Sequence, residues 1–181
     1  MMVIQTMQEP DSAIARLSQR TSQSLATFIV SLVHDDGPIG EHVRTFIVGD
    51  DLVETVASLK GRIDALRDRE HRYYRHRDGA QVGERWNYIL DAIETLVLPA
   101  SAEQAFELLV LLVERHGDAV EKCADHDYTV QCALERATEL MTRAGQSLPR
   151  SDVRAALERL IVADRYGARQ PLELVAEAFA R

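Results

Sequence analysis

The chain has 181 residues, of which 28% are charged, and a formal net charge of −8 at pH 7. This length suffices for one domain with a buried core, and the negative charge argues against general affinity for nucleic acid or anionic membranes. The first ten residues contain neither a basic start nor a long apolar run, so no secretory signal is expected and a cytoplasmic location is predicted.

Two helices are expected before residue 50. Residues 1–11 are predicted to be a loose end. A helix over Ser22–His34 is predicted by apolar residues that repeat at helical spacing. A second helix is predicted from Pro38, which suits a first helical turn, to Gly49, with Asp50 as the cap of the next helix. The stripe of the first helix is Leu25, Phe28, Ile29 and Leu32.

A third helix is predicted from Asp51 to about Glu70. Its apolar residues alternate four and three apart, as in a heptad seam. One interpretation is a coiled coil that forms a homodimer, and the other is a long helix packed inside a bundle. The bundle is favoured because only two or so heptads are present. The seam consists of Leu52, Val56, Leu59, Ile63 and Leu66.

A basic and aromatic segment follows over residues 67–78. From Lys60 to Arg77 there are seven Lys or Arg and three Asp or Glu, a local charge of +4 that leaves −12 for the other residues. Arginines interleaved with tyrosines are able to contact phosphates or stack on bases. The alternative, which we favour, is a solvated helix end that pairs with acidic neighbours. The candidate binding residues are Arg69, Arg72, Tyr73, Tyr74, Arg75 and Arg77.

The centre of the chain predicts an antiparallel helix pair. Gly79 and Gly83 predict a turn, and a helix is expected over Glu84–Leu98. The next helix, Ser101–His116, has Ser101 as its N-cap and Gly117 as its C-cap. Its unbroken apolar run, residues 108–113, predicts a buried helix that packs on the helices before and after it.

Three more helices are predicted in the last third. One runs over Tyr128–Ala144 and is capped by Asp125 or Asp127, and another runs from its cap Ser151 to Ala163. Pro171 begins the last helix. Together the segments predict an all-α fold of about eight helices in antiparallel hairpins. A compact bundle and a short α–α superhelix both fit a single domain over residues 1–181.

The best candidate for a metal site is the stretch of residues 116–127. His116, Cys123 and His126 are weak candidates, because the set is incomplete and no paired CxxC or HxxxH is present. The alternative is a structural role, with His116 at a helix end and Cys123 as a small apolar side chain. Cys123 and Cys132 are nine residues apart and are expected to be reduced. Neither a nucleophile elbow nor a phosphate-binding loop occurs.

Three runs of the sequence stand out, which are Arg75–Asp78, Val82–Glu94 and Gln104–Leu109. They resemble a family of uncharacterised bacterial all-helical proteins that is catalogued as a domain of unknown function. The family's acidic turn corresponds to Ala124–Tyr128, where its serine and glycine are missing. The likeness extends from Ser22 to Phe179 and implies a helical-hairpin array without an established activity. Some relatives carry a SWIM-type zinc finger, whose CxC…CxH pattern is absent here.

These observations predict a non-enzymatic module that binds an unidentified protein partner and needs no cofactor. A homodimer is one form of this hypothesis. A nucleic-acid- or phosphate-binding accessory that uses residues 67–78 is the first alternative. A metal-dependent enzyme centred on residues 116–127 is the second.

Overall fold

The structure is a computed structural model that describes residues 18–33, 39, 40, 43, 47, 51–73, 79–122, 128–164, 167 and 169–180. For residues 33, 67–73, 81 and 117–122 it describes the backbone alone. These residues form helices joined by turns and contain no strand, which confirms the predicted all-α fold. The helices are α1 Ser22–Val33, α2 Leu52–Tyr73, α3 Gly79–Ala92, a π-helix Ile93–Val97, α4 Ala102–Lys122, α5 Thr129–Gly145, α6 Arg150–Val162 and α7 Pro171–Ala180.

The chain divides into two compact units, residues 1–43 and residues 44–181. In the first unit, α1 begins after Thr21, whose hydroxyl oxygen accepts a hydrogen bond from the Ser24 N–H at 3.2 Å. This helix agrees with the predicted one to within a residue. The predicted loose end lies outside the described residues, as does most of the predicted second helix. All remaining helices belong to the second unit.

The N-cap of α2 lies one residue later than predicted. Asp51, not Asp50, is the cap, because its carboxylate accepts hydrogen bonds from the N–H groups of Val53 and Glu54 at 2.9 and 3.1 Å. The predicted seam is buried inside the same unit, where Leu59 and Ile63 have no exposed surface and α2 packs on α4. The bundle interpretation of this seam is therefore the one that the fold supports.

Helix α3 begins at Gly79, so the predicted turn over Gly79–Gly83 is wrong. An ideal Cβ built on Gly83 would lie 2.7 Å from the backbone carbonyl carbon of Thr129. The glycine therefore permits a close approach between α3 and α5 and does not form a turn.

Helix α3 continues as a π-helical segment, in which the Leu98 N–H donates to the Ile93 carbonyl at 2.8 Å. The wider turn keeps both Ile93 and Val97 in the core.

Helix α4 is the centre of the bundle, as predicted. The Ser101 hydroxyl oxygen accepts a hydrogen bond from the Gln104 N–H at 3.3 Å, which confirms the N-cap. The helix does not end at His116 but continues to Lys122, so Gly117 is not its C-cap. One face of α4 packs on α5 and the other packs on α2, while its contact with the preceding helix is made largely by the π-helical segment. Its fully buried side chains are Ala105, Leu108, Leu109, Leu112, Val113 and His116.

The predicted caps of α5 and α6 are wrong. Tyr128 is the N-cap residue of α5, with a left-handed φ of 56° and no capping hydrogen bond from its side chain, so neither Asp125 nor Asp127 holds that place. Pro149 precedes α6, and the Ser151 hydroxyl donates to Asp152 instead of accepting from the backbone. The predicted inward faces of both helices are buried, because packing rather than capping decides their register.

Pairwise contacts fix the direction of the helices in this unit. Gly83 meets Thr129 near the start of α3 and α5, and Asp91 meets Arg136 further along both, so these helices are parallel. Helix α4 runs antiparallel to α3, because a short turn at residues 98–101 joins the π-helix to α4 and Trp86 of α3 meets His116 towards the end of α4. Gly145 at the end of α5 lies against the ring of Phe179 near the end of α7, and both helices line one groove along their length, so these two helices are parallel as well. The start of α7 therefore lies towards the same end of the bundle as the start of α5.

Candidate functional site

A groove of about 1090 Å³ runs between α5 and α7. Its volume slightly exceeds the usual range of small-molecule sites. It is open to solvent along its length, so its shape suits a segment of polypeptide more than an enclosed ligand. The lining residues are Gln131, Glu135, Thr138, Glu139 and Thr142 of α5, Gly167 and Gln170 of the preceding turn, and Pro171, Glu173, Leu174, Val175, Glu177 and Ala178 of α7.

Helix α5 turns one face to the core and another face to this groove. Ala137 and Met141 are fully buried in the core, whereas Glu135 and Glu139 are exposed on the groove side. Thr138 lies at the boundary with 5% of its surface exposed, and its hydroxyl donates to the Glu135 carbonyl at 2.7 Å. Because this hydroxyl is used within the helix, the glutamates are the principal polar groups that α5 offers to a ligand.

Four glutamates line the groove, and no lysine or arginine is among the lining residues that the structure describes. Glu135 and Glu139 are four residues apart on α5, and Glu173 and Glu177 are four apart on α7. Like charges at this spacing destabilise a helix by about 0.2–0.5 kcal/mol per pair. In the described part of the chain, none of these carboxylates forms an ion pair. The described lining of the groove therefore contributes four negative charges that no ion pair offsets.

The arginines of α5 lie on its other side, against α3 and the π-helix. Arg136 donates to Asp91 at 2.6 Å and to Glu94 at 2.8 Å, and Arg143 also donates to Glu94. These bonds, from Arg136 first and from Arg143 second, lower the pKa of Glu94 below its ordinary value of 4.5. Burial disfavours the charged form of Arg136, but its hydrogen bonds to Glu94 and Asp91 outweigh this effect and raise its pKa. The two cations are thus engaged away from the groove.

The groove also has an apolar side along α7. Leu174 is 71% exposed although it neighbours the buried Val175, and Pro171 and Ala178 continue the same surface. An exposed leucine between two glutamates offers apolar contact to the methylene stems of lysine or arginine while the carboxylates meet the charged ends. All four glutamates are exposed, so the groove lacks the dry, shaped cavity in which carboxylates usually perform catalysis.

A second groove, of about 430 Å³, crosses α4 between α2 and α6 and is different in charge. Its rim glutamates are both paired, with Lys60 to Glu107 at 3.6 Å and Arg159 to Glu114 at 3.1 Å. Its floor is formed by apolar side chains such as Phe106 and Val110. Because its charges are balanced, this groove does not select a partner by charge.

The residues of the predicted Arg/Tyr surface are only partly described. Positions 69, 72 and 73 lie on the backbone of α2, and Tyr74, Arg75 and Arg77 lie outside the described residues. The prediction that these side chains bind a partner stays a prediction.

Of the weak metal candidates, His116 is fully buried and its ring meets Trp86 edge-on at a centroid distance of 5.7 Å. Cys123 and His126 lie outside the described residues. Over the described ranges, no three His, Cys, Asp or Glu side chains come together in a metal-binding group. Cys132 is an exposed free thiol on α5.

The groove glutamates are absent from the sequence-based predictions. A signal was present in the pattern itself, because α5 and α7 each repeat glutamate at a spacing of four without an interposed lysine or arginine on that face. The sequence does not indicate that the two pairs face one groove, since that depends on the parallel packing of α5 and α7.

Comparison with family models, with curated proteins and with solved structures found no match. The resemblance to the bacterial helical family therefore depends on the residues quoted for it alone. Among the helices that the structure describes, none has the length and apolar character needed to cross a membrane.

Proposed function

We propose that this chain is a protein-interaction module and that the groove between α5 and α7 binds a positively charged segment of a protein partner. The observation that carries the proposal is the set of four unpaired glutamates beside the exposed Leu174. Opposite charges steer such a partner to the groove and fix its orientation. Leu174 supplies the apolar contact that a purely electrostatic encounter lacks.

Nucleic acid is the less favoured partner. Phosphates would be repelled by the groove and by the net charge of −8. A nucleic-acid site is therefore proposed only for residues 67–78, as an alternative that a gel-shift assay tests. Retardation that weakens steeply with added salt would support this alternative, and the absence of retardation at low salt would exclude it.

The groove proposal is tested by fluorescence anisotropy with a labelled, lysine-rich amphipathic peptide. We expect binding to the wild-type chain that weakens as salt is added, because the Debye length falls from about 30 Å at 0.01 M to about 8 Å at 0.15 M ionic strength. Replacing the peptide lysines by glutamates should abolish binding.

The variant Glu139→Gln/Glu173→Gln should weaken binding of the lysine-rich peptide by about tenfold, since each lost charge pair contributes up to about 1 kcal/mol. A matched control, Glu84→Gln/Glu103→Gln, removes the same charge at exposed positions on α3 and α4 and should leave binding unchanged. Equal weakening by both variants would show that net charge alone attracts the peptide, and the groove would then not be the site.

A further inference from the structure

The only strongly basic stretch of this acidic chain has the charge and spacing that the groove requires. Residues 67–77 contain five arginines against Asp68 and Glu70, a net charge of +3, whereas the described lining of the groove contributes four glutamates. We infer that the occupant of the α5–α7 groove is this basic segment of a second copy of the chain. This inference rests on the proposed function and specifies its partner.

The geometry of the two helical charge patterns is compatible. Glu135 and Glu139 are one helical turn apart on α5, and positions 69 and 72 are three residues apart on α2, whose described helix extends to Tyr73. Residues three or four apart on a helix are neighbours on one face, with about 5–6 Å between them. The helical part of the segment, residues 67–73, is about 10 Å long at 1.5 Å per residue.

The positions of both elements in the fold favour reciprocal exchange between two copies. Gly83 contacts Thr129, and Gln131 begins the groove, so the chain enters α3 beside one end of the groove. Helix α2 runs alongside α4 in the same direction, with Lys60 at Glu107 and Asp64 at Arg115. Because His116 of α4 in turn meets Trp86 of α3, the end of α2, which is the described part of the basic segment, lies towards the same end of the bundle as the start of α5. A two-fold axis at this end brings each segment to the partner's groove and closes the dimer, as isologous interfaces require.

The remaining surface charge supports this pairing over other modes of self-association. Outside residues 60–77 the chain carries −12, so two copies repel each other wherever the basic segment is not at the interface. In the second groove the rim glutamates are already paired with Lys60 and Arg159, so it offers no comparable attraction. A dimer formed in this way should dissociate as salt screens the charges.

A charge-exchange experiment with the full chain tests the inference. The groove variant is Glu139→Arg/Glu173→Arg, and the segment variant is Arg69→Glu/Arg72→Glu. Sedimentation velocity at about 20 mM salt should show a concentration-dependent dimer of the wild-type chain, and each variant should dissociate at least about tenfold more readily. A chain that carries both sets of changes should recover the dimer, because its acidic segment then meets a basic groove. An equimolar mixture of the two variants should also recover it, because each segment then meets a groove of opposite charge on the other variant.

The matched control Glu54→Arg/Glu103→Arg changes the charge by the same amount at exposed positions near the starts of α2 and α4, away from the proposed interface, and should retain the dimer. Circular dichroism verifies that every variant is folded, and Glu139→Gln/Glu173→Gln replaces the groove variant if the arginines prevent folding. A wild-type chain that stays monomeric at every concentration would overturn the inference, as would failure of the combined variant to recover the dimer. If the chain is monomeric while the lysine-rich peptide still binds, the proposed function stands; if neither association occurs, both proposals are wrong.

Discussion

Gly83 on α3 lies so close to Thr129 on α5 that a Cβ atom at position 83 would be 2.7 Å from the threonine backbone. This approach joins the beginnings of two parallel helices, and it places the start of α5 against α3 where the groove begins. A backbone cannot move aside as a flexible side chain can, so the contact demands glycine. The sequence predicts a turn at Gly83 because glycine is common in turns. In the structure the glycine is needed for the close contact between the two helices instead.

Gly83→Ala should destabilise the chain by about 1–3 kcal/mol, because the added methyl group overpacks a helix contact. The change would otherwise favour the helix, since alanine exceeds glycine in helix propensity by about 1 kcal/mol. Gly61→Ala is the matched control, because an added Cβ there meets nothing within 4 Å, and it should stabilise α2 by about 0.5–1 kcal/mol. Chemical denaturation measures both. A stabilised Gly83→Ala variant would show that α3 and α5 do not approach as described.

Leu109 is fully buried at the centre of α4, whereas Leu174 is 71% exposed in the groove. Leu109→Ala should cost about 2–5 kcal/mol, because it removes buried apolar atoms and leaves a cavity. Leu174→Ala should change the free energy of unfolding by less than about 0.5 kcal/mol but should weaken peptide binding. Similar stability losses in the two variants, measured by urea denaturation, would contradict the assignment of core and groove.

The ion-pair network between Glu94, Arg136 and Arg143 predicts a defined pH dependence. Because the pKa of Glu94 is lowered on folding, its contribution to stability is present above the unfolded value of about 4.5 and is lost as the pH falls through the lower folded pKa. Glu94→Gln should cost about 1 kcal/mol at neutral pH, and the difference from wild type should shrink below pH 4. Thermal unfolding across this range measures it, and a difference that grows with acid would refute the assignment.

Arg169 joins three parts of the second unit although only 5% of its surface is exposed. Its guanidinium donates to the carbonyls of Leu160 and Glu114, each at 3.0 Å, and its N–H donates to Asp164 at 2.8 Å. Arg169→Met should cost about 2–4 kcal/mol, because it leaves two carbonyl groups without this donor.

Arg169→Lys should recover less than half of that loss, since an ammonium group lacks the planar fork that reaches both carbonyls. The control Arg154→Met, at an exposed position on α6, should cost no more than about 0.5 kcal/mol. Denaturant titration compares the three variants. Full recovery by lysine would show that position 169 needs only a positive charge.

The sequence predicts the helices well where apolar periodicity determines them. The stripes of α2, α4 and α5 are buried as expected, and Ser101 caps α4 because its neighbours complete a local motif. Local rules fail where tertiary contacts compete with them. Gly117 lies within α4, which continues to Lys122 although a glycine inside a helix costs about 1 kcal/mol.

The groove was not predictable to the same degree. Its glutamates are visible in the sequence as pairs at a spacing of four, but residues 146–170 separate α5 from α7. The direction in which α7 returns depends on α6 and on Gly145, where a Cβ would be 2.9 Å from the ring of Phe179. Such a contact between residues distant in sequence has no signature in local periodicity.

The most direct test of the groove as a docking site is an NMR titration of the isotope-labelled chain with the lysine-rich peptide. We predict that amide shifts change along two stretches, residues 131–142 of α5 and 170–178 of α7, which line the groove. Residues around Phe106 and Val110, in the second groove, should remain unperturbed. Shifts that concentrate at the second groove, or that spread evenly over all acidic surfaces, would contradict the proposal.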